Sequence, residues 1–355
     1  MGIPECVPWR AIGETLGEGG QGQVHLVVAK NDPKGPKYAL KVLRYVDSEQ
    51  ARERFQREIE AVKQLTDLES DSNDSAIIRI LDHSKQDDEF QYYVMEYHDG
   101  AKTLADIIFS ECNPFHGNAL KSLDLFEQIV LAIGECQKAS RPIIHRDIKP
   151  DNILVLTDGS IRLIDFGICH FEDGNIITLT DEGVGARDYT APECESGSDD
   201  RLIGIYADLY SAAKVLWSAI TSKKAFAREQ PVFQHRSMTK MFPLQTETWH
   251  LTCIFEKTIR ERREDRLDSA RSVCDLIREL RYLIHSGYPP LEDTWGRCPS
   301  CGRRELTDFP QSHLVFGVSR QDTDFRALMC KSCGFGFLRN SEVNRSQVDR
   351  IKELT

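Results

Sequence analysis

The chain has 355 residues, more than one average domain and fewer than three, with 40% hydrophobic and 28% charged residues, which excludes a disordered or collagen-like polymer and leaves ample length for a core. The net charge of −11 is uneven, since from Trp295 onward 10 Lys/Arg face 7 Asp/Glu, and the acidic body that precedes argues against a broad nucleic-acid-wrapping surface. No apolar run approaches the ~18–20 residues of a membrane span, the opening MGIPECVPWR has no secretory layout, and seven lone cysteines with two Cys-x-x-Cys pairs suit a reducing compartment, so a soluble, cytoplasmic protein is expected.

The first hundred residues read as strands around one helix. Residues 24–29 and 38–44 are short apolar runs separated by the turn-rich NDPKGPK. Over residues 49–68, Phe55, Ile59, Val62 and Leu65 recur at the spacing of an amphipathic helix, and FQYYVMEY then reads as a strand. Beyond residue 102 the pattern turns helical, with Leu120, Leu123, Phe126, Ile129, Val130 and Ile133 on one face, a second helix over 205–220 and two more between 247 and 283. The strands ILVL and IRLIDFG flank a turn at Asp158-Gly159. A linker over 286–294, rich in proline and glycine, precedes a short cysteine-bounded module over 295–340 and a polar tail over 341–355.

Several short stretches carry chemistry. LGEGGQGQV places Gly17, Gly19 and Gly22 at phosphate-loop spacing, where the missing Cβ lets backbone N–H groups approach phosphate oxygens. A plain glycine hairpin fits this stretch equally well, and strands on both sides argue against a dinucleotide fold, which needs strand then helix. In YALK, Lys41 closes a strand between apolar neighbours, and Glu58 on the following helix is the carboxylate that a semi-buried lysine needs. HRDIKPDN brings Asp147, Lys149 and Asn152 into one loop, offering a carboxylate for an incoming hydroxyl, a cation for transferred charge and an amide for a metal. Thirteen residues later Asp165 ends an apolar strand, a costly place for a carboxylate unless it binds a cation such as Mg²⁺.

With these motifs in order and YTAPE closing at Glu193, residues 10–285 resemble a eukaryotic-type protein kinase domain. The resemblance implies an α+β bilobal fold, a strand-rich N-lobe and helical C-lobe, with ATP bound between them. It assigns Lys41 to the α- and β-phosphates with Glu58 as its partner, and Asp147 to orienting the hydroxyl. Asn152 and Asp165 become ligands of Mg²⁺ or Mn²⁺. Leu16, Gly17, Gly19, Gly22, Val24, Ala39 and Leu154 fall at nucleotide-binding positions, Met95 at the gatekeeper, and Glu96 to His98 at the adenine-binding hinge. Asp208 matches the helix aspartate that braces the catalytic loop, and Glu193 with Arg266 the ion pair of the helical lobe. Lys149, two residues after Asp147, follows the Ser/Thr rather than the Tyr pattern, so a protein Ser/Thr hydroxyl is the expected acceptor.

There are departures from the family pattern. Gln21 replaces the aromatic at the glycine-loop tip, Gly20 stands beside it, and Ala186 replaces a threonine that bonds the catalytic aspartate and lysine. A nucleotide-binding scaffold without transferase activity, or a kinase of small molecules, is the competing expectation. Thr178 and Thr180 are candidate autophosphorylation sites with Arg146 as phosphate receptor, against the reading that Asp181 and Glu182 already supply the charge.

Cys298 and Cys301, then Cys330 and Cys333, form two Cys-x-x-Cys pairs with 28 residues between them. Two such knuckles fill the tetrahedron of one structural Zn²⁺, and the module resembles a zinc ribbon. A redox pair or free thiols are the alternatives, and His313 is a surface residue while four cysteines are available. The ribbon is expected to recruit a partner, and its mildly basic charge leaves nucleic acid open.

Overall fold

The computed structural model describes residues 3–18, 22–43, 48–67, 75–85, 87–166, 170–171, 188–195, 203–226 and 238–287, together with the backbone of 306–308, 325–330 and 336–340. Strands β1 (Trp9–Glu18), β2 (Gly22–Ala29), β3 (Tyr38–Leu43), β4 (Ile80–His83) and β5 (Tyr92–Glu96) form an antiparallel sheet in the order β1-β2-β3-β5-β4. Helix α1 (Glu49–Asp67) lies between β3 and β4 in the chain and presents Phe55, Ile59, Val62 and Leu65, all buried, to one face of this sheet. The expected helix over 49–68 is present over Glu49–Asp67, and Leu68 lies outside the described residues. The sheet also has an outer core, in which Val27, Leu40, Val42, Tyr92 and Val94 gather around Val7, with Ile3 and Trp9 packed against them. The N-terminal segment is tied down there by the Trp9 indole, which donates to Asp82 at 2.6 Å, and by the Lys30 amide, which donates to the Pro8 carbonyl at 2.9 Å.

The second lobe begins with β6 (Lys102–Thr103) and the short α2 (Leu104–Ile108), where Thr103 and Asp106 form a reciprocal capping box. Its body is α3 (Ala119–Lys138), capped by Asn118, packed against α4 (Ile205–Thr221) and α7 (Ala270–His285), with α5 (Met238–Met241) and α6 (Leu251–Thr258) alongside. Helix α4 is apolar on nearly all sides and buried almost throughout, the pattern of a helix at the centre of a lobe. Strands β7 (Ile143–Ile144), β8 (Ile153–Val155), β9 (Ile161–Leu163) and β10 (His170–Phe171) carry the loops of the cleft: β8 pairs with β6 and β9, and β7 with β10. The lobes are stitched near this point, where Ile78 donates to the Leu163 carbonyl at 3.1 Å and Leu163 to that of Ala76 at 2.8 Å. Beyond residue 300, β11 (Leu306–Asp308), β12 (Phe325–Cys330) and β13 (Gly336–Asn340) form a three-stranded antiparallel sheet. No helix among the described residues is long and apolar enough to cross a membrane.

Two expectations about strand ends are corrected. Lys41 does not close its strand: it sits fourth in the six residues of β3, paired with Val24 on one side and Tyr93 on the other. Asp165 does not end β9, which stops at Leu163, because at Ile164 the backbone amide turns to the Asn152 carbonyl and Asp165 takes a left-handed φ of 63°.

Candidate active site

One cavity of about 1030 Å³ lies between the lobes. Leu16, Gly17, Gly22 and Val24 of β1 and β2 form its roof, joined by Ala39 and Lys41 of β3. Met95, Glu96 and His98 line the connection between the lobes, Leu154 of β8 the floor, and Asp147, Lys149, Asn152 and Asp165 the inner end. Glu58 is not on the cavity wall; it stands behind Lys41 at 0% exposure.

The glycines do different work. A Cβ at Gly22 would lie 2.2 Å from the Val42 carbonyl oxygen, so this glycine lets β2 close onto β3 beside Lys41. A Cβ at Gly17 would meet nothing within 4 Å, which leaves its backbone open to the cavity. Gly19, Gly20, Gln21, Gly167, Cys169, Thr178, Thr180, Ala186, Cys298, Cys301, His313 and Cys333 lie outside the described residues, and of Cys330 only the backbone is described.

Lys41 Nζ donates to both oxygens of Glu58, at 2.8 and 2.9 Å, and to Asp165 Oδ1 at 3.0 Å. Burial alone would lower the Lys41 pKa, but the two carboxylates reverse this and hold it well above the ordinary lysine value. Burial pushes the Asp165 carboxyl up, and the Lys41 charge and hydrogen bond more than offset that, bringing it down to about 2. The cation that makes the Asp165 position tolerable is thus already supplied by the protein itself.

The loop after β7 is held from below. Asp208, buried in the first turn of α4, accepts from the backbone amides of His145 at 2.7 Å and Arg146 at 2.8 Å. His145 Nε2 donates to the Ile164 carbonyl at 3.1 Å while its Nδ1 accepts from the Asp147 amide at 3.3 Å, which fixes the ring proton on Nε2. The ring packs 4.4 Å from that of Phe166, itself fully buried. Arg146 and Asp165 are two of the three non-glycine residues with positive φ among the described residues, conformations that cost ~1–3 kcal/mol each and gather at functional sites. Lys149 Nζ donates to Asp147 Oδ2 at 2.7 Å, and Asn152 Nδ2 donates to the Asp147 carbonyl at 2.9 Å and to Oδ2 at 2.8 Å. The Asn152 amide nitrogen is therefore occupied, and its oxygen and the Asp165 carboxylate, which line the same cavity, are hard donors of the kind that Mg²⁺ takes.

Outside the cavity lining, Glu193 and Arg266 form a bidentate pair at 2.7 and 2.9 Å. Two functional side chains escaped the reading of the sequence. Lys214, fully buried in α4, donates to the carbonyls of Asp188 at 2.9 Å and Phe226 at 2.7 Å, tying the segment before Glu193 to the helix. Tyr93 on β5 donates from its hydroxyl to Glu58 at 2.8 Å. A lysine inside an apolar helical run was the available signal for the first, whereas a tyrosine in a strand gives none.

The cleft, with a paired lysine in its roof and a carboxylate–lysine–amide cluster in its floor, has the layout of a nucleotide-dependent phosphotransferase. The protein kinase domain family matches residues 10–284, and the chain belongs to that family. The chain is 29% identical over 337 residues to the serine/threonine-protein kinase PknB of Mycobacterium leprae, covering 88% of this chain and 48% of that protein. It is 32% identical over 216 residues to the serine/threonine-protein kinase PrkC of Bacillus subtilis, covering 60% and 31%. The chain thus spans about half the length or less of these curated relatives. Among solved structures it resembles a point mutant of the PknI kinase domain of Mycobacterium tuberculosis, at a TM-score of 0.55 and 22% identity, over 79% of this chain and 100% of that one; this likeness concerns the fold. The family match defines residues 10–284 as a protein kinase domain, and both named relatives are serine/threonine-protein kinases.

Proposed function

We propose that the chain transfers the γ-phosphate of ATP to Ser and Thr hydroxyls of proteins, including its own. The observation that carries this reading is the convergence on one cavity of the Lys41 ammonium, held by Glu58 and Asp165, and the Asp147–Lys149–Asn152 cluster. In this reading Lys41 holds the α- and β-phosphates under the roof of Gly17 to Gly22. Asp147 accepts a hydrogen bond from the acceptor hydroxyl, aligns its oxygen with the γ-phosphorus and takes its proton as the new O–P bond forms and the bond from the γ-phosphorus to the bridging oxygen of the leaving ADP breaks. Lys149, now on Asp147, lies close enough to meet charge on the transferred group. Asn152 and Asp165 are the side chains that would hold Mg²⁺ or Mn²⁺, which when bound neutralises phosphate charge.

Transfer from γ-labelled ATP with Mg²⁺, wild type beside Asp147→Asn, tests the reading. Label on Ser or Thr in the wild type alone supports it, and would mark Thr178 or Thr180 if these are the regulatory sites received by Arg146. ATP binding without any label would favour a scaffold, and label on no protein a small-molecule kinase.

The C-terminal part of the proposal is a zinc ribbon that recruits a partner, protein before nucleic acid. Its support is the paired Cys-x-x-Cys spacing around an antiparallel sheet in which Cys330 ends β12. Structural zinc supplies an apparent ~10–16 kcal/mol to such small modules. Metal analysis of the purified chain should find one zinc per chain, lost in the Cys298→Ser, Cys330→Ser variant; a zinc-free, fully folded module would refute it. A reducing, cytoplasmic setting belongs to the same reading, in line with six cysteines outside any disulfide among the described residues.

A further inference from the structure

The sequence of β5 alternates strictly between the two faces of the sheet: Tyr92 and Val94 join the outer core, while Tyr93 and Met95 face α1 and the cavity. Tyr93 sits directly across from Lys41 in the β3–β5 pairing. Its ring touches α1 through Phe55, with centroids 5.3 Å apart, and Lys41 Nζ lies 5.5 Å from its centroid. Its hydroxyl donates to Glu58 Oε1, the oxygen that also takes one of the two Lys41 bonds. Glu58 therefore accepts three hydrogen bonds on one fully buried carboxylate, two from Lys41 of β3 and one from Tyr93 of β5. Two and six residues before Glu58 on α1, Gln56 donates to Gln91 at 2.6 Å and Arg52 donates to the Asp88 carbonyl at 3.3 Å, both in the segment that leads into β5. Three residues of α1 are thus fastened to one strand and its approach.

We infer that Tyr93 is a positioning residue that latches helix α1 inward onto the sheet, so that Glu58 stays on Lys41. The inference rests on the kinase reading above for its activity consequence, but its geometric part does not. A tyrosine hydroxyl on a strand paired on both sides is fixed by the ladder. A charged acceptor makes such a bond about twice as strong as a neutral one. A carboxylate buried at this depth and stripped of one donor gains by turning away, and turning away leaves Lys41, held in β3, without its partner.

The test is Tyr93→Phe, which keeps the ring, its contact with Phe55 and therefore the fold. A destabilised reference far from the cleft, Val130→Ala in α3, is measured beside it. Two readouts are used on the full chain: steady-state transfer from Mg·ATP to dephosphorylated casein, and amide hydrogen exchange of α1 against α4. The latch predicts a loss of tenfold or more in kcat at an unchanged KM for casein, together with faster exchange in α1 and unchanged exchange in α4. Val130→Ala should show neither. A Tyr93→Phe enzyme within twofold of wild type and with α1 protected as before overturns the inference, as does acceleration of α1 and α4 together. Should the wild type transfer no phosphate at all, the kinase reading fails, and the exchange of α1 alone still decides the latch.

Discussion

Glu193→Gln is the perturbation whose size the structure fixes best. Both members of the Glu193–Arg266 pair are nearly out of solvent, with Arg266 at 1% and Glu193 at 9% exposure, and the contact is bidentate. Removing one charge from such a pair costs ~3–5 kcal/mol, because the other is left buried without its counter-charge. Arg266 keeps the carbonyls of Arg260, Glu261 and Tyr206, and its guanidinium stays 4.6 Å over the Tyr210 ring. The low end, ~3 kcal/mol, is therefore expected. For a domain of this size each kcal/mol moves the midpoint ~2–4 °C, which gives a drop of ~6–12 °C in a thermal melt. The molecule holds its own control in Arg141–Glu60, 38% and 57% exposed, where Glu60→Gln should cost ~0–1 kcal/mol. Equal and small shifts for both variants would refute the argument that burial, rather than geometry alone, sets the worth of these pairs.

Gly22→Ala puts a Cβ against the Val42 carbonyl and should cost ~1–3 kcal/mol while raising the KM for ATP, because β2 must part from β3 beside Lys41. Gly17→Ala, with open space at the same point, should melt within ~0.5 kcal/mol of wild type, and identical behaviour of the two would contradict the packing argument. The Lys41–Asp165 contact should be indifferent to pH over a wide range. The folded pKa of Asp165, about 2, lies below the unfolded ~3.9, so its contribution is complete above pH ~4 and lost as pH falls toward 2. The folded pKa of Lys41 is raised, so its contribution is complete below pH ~10 and lost only beyond the unfolded ~10.4. In Lys41→Met the buried Glu58, whose carboxyl pKa burial already raises, loses its counter-charge and binds a proton. The stability difference from wild type, followed by urea unfolding, should therefore widen as pH rises above the unfolded ~4.3, and a flat difference would mean that Glu58 stays charged there.

The parts of the site that were legible in the sequence share one property: their partners lie close in the chain or in a recognisable order. Asp147, Lys149 and Asn152 occupy six residues, and their mutual bonds follow from that proximity. The α1 stripe was legible because periodicity reports the buried face of a helix directly. Tyr93 was not, since its partner is 35 positions away and a tyrosine in a strand looks like any strand-former. Lys214 meets carbonyls 26 and 12 positions away that no side-chain pattern encodes. The N-terminal segment around Val7 has too few residues for any period, and its place on the outer sheet face follows only from the apolar side of β2, β3 and β5 that it covers.

Asp208 grips its loop by main-chain amides, and this sets the loop's lifetime as well as its shape. A brace that takes N–H groups does not care which side chains stand at positions 145 and 146, so substitution there leaves the grip intact. It also makes the two amides members of the cooperative unit to which α4, a helix buried almost throughout, belongs. Surface loops ordinarily open at little cost, far below the global unfolding free energy. Here the segment carrying Asp147 can let go only when the centre of its lobe does, which gives a loop the persistence of a core.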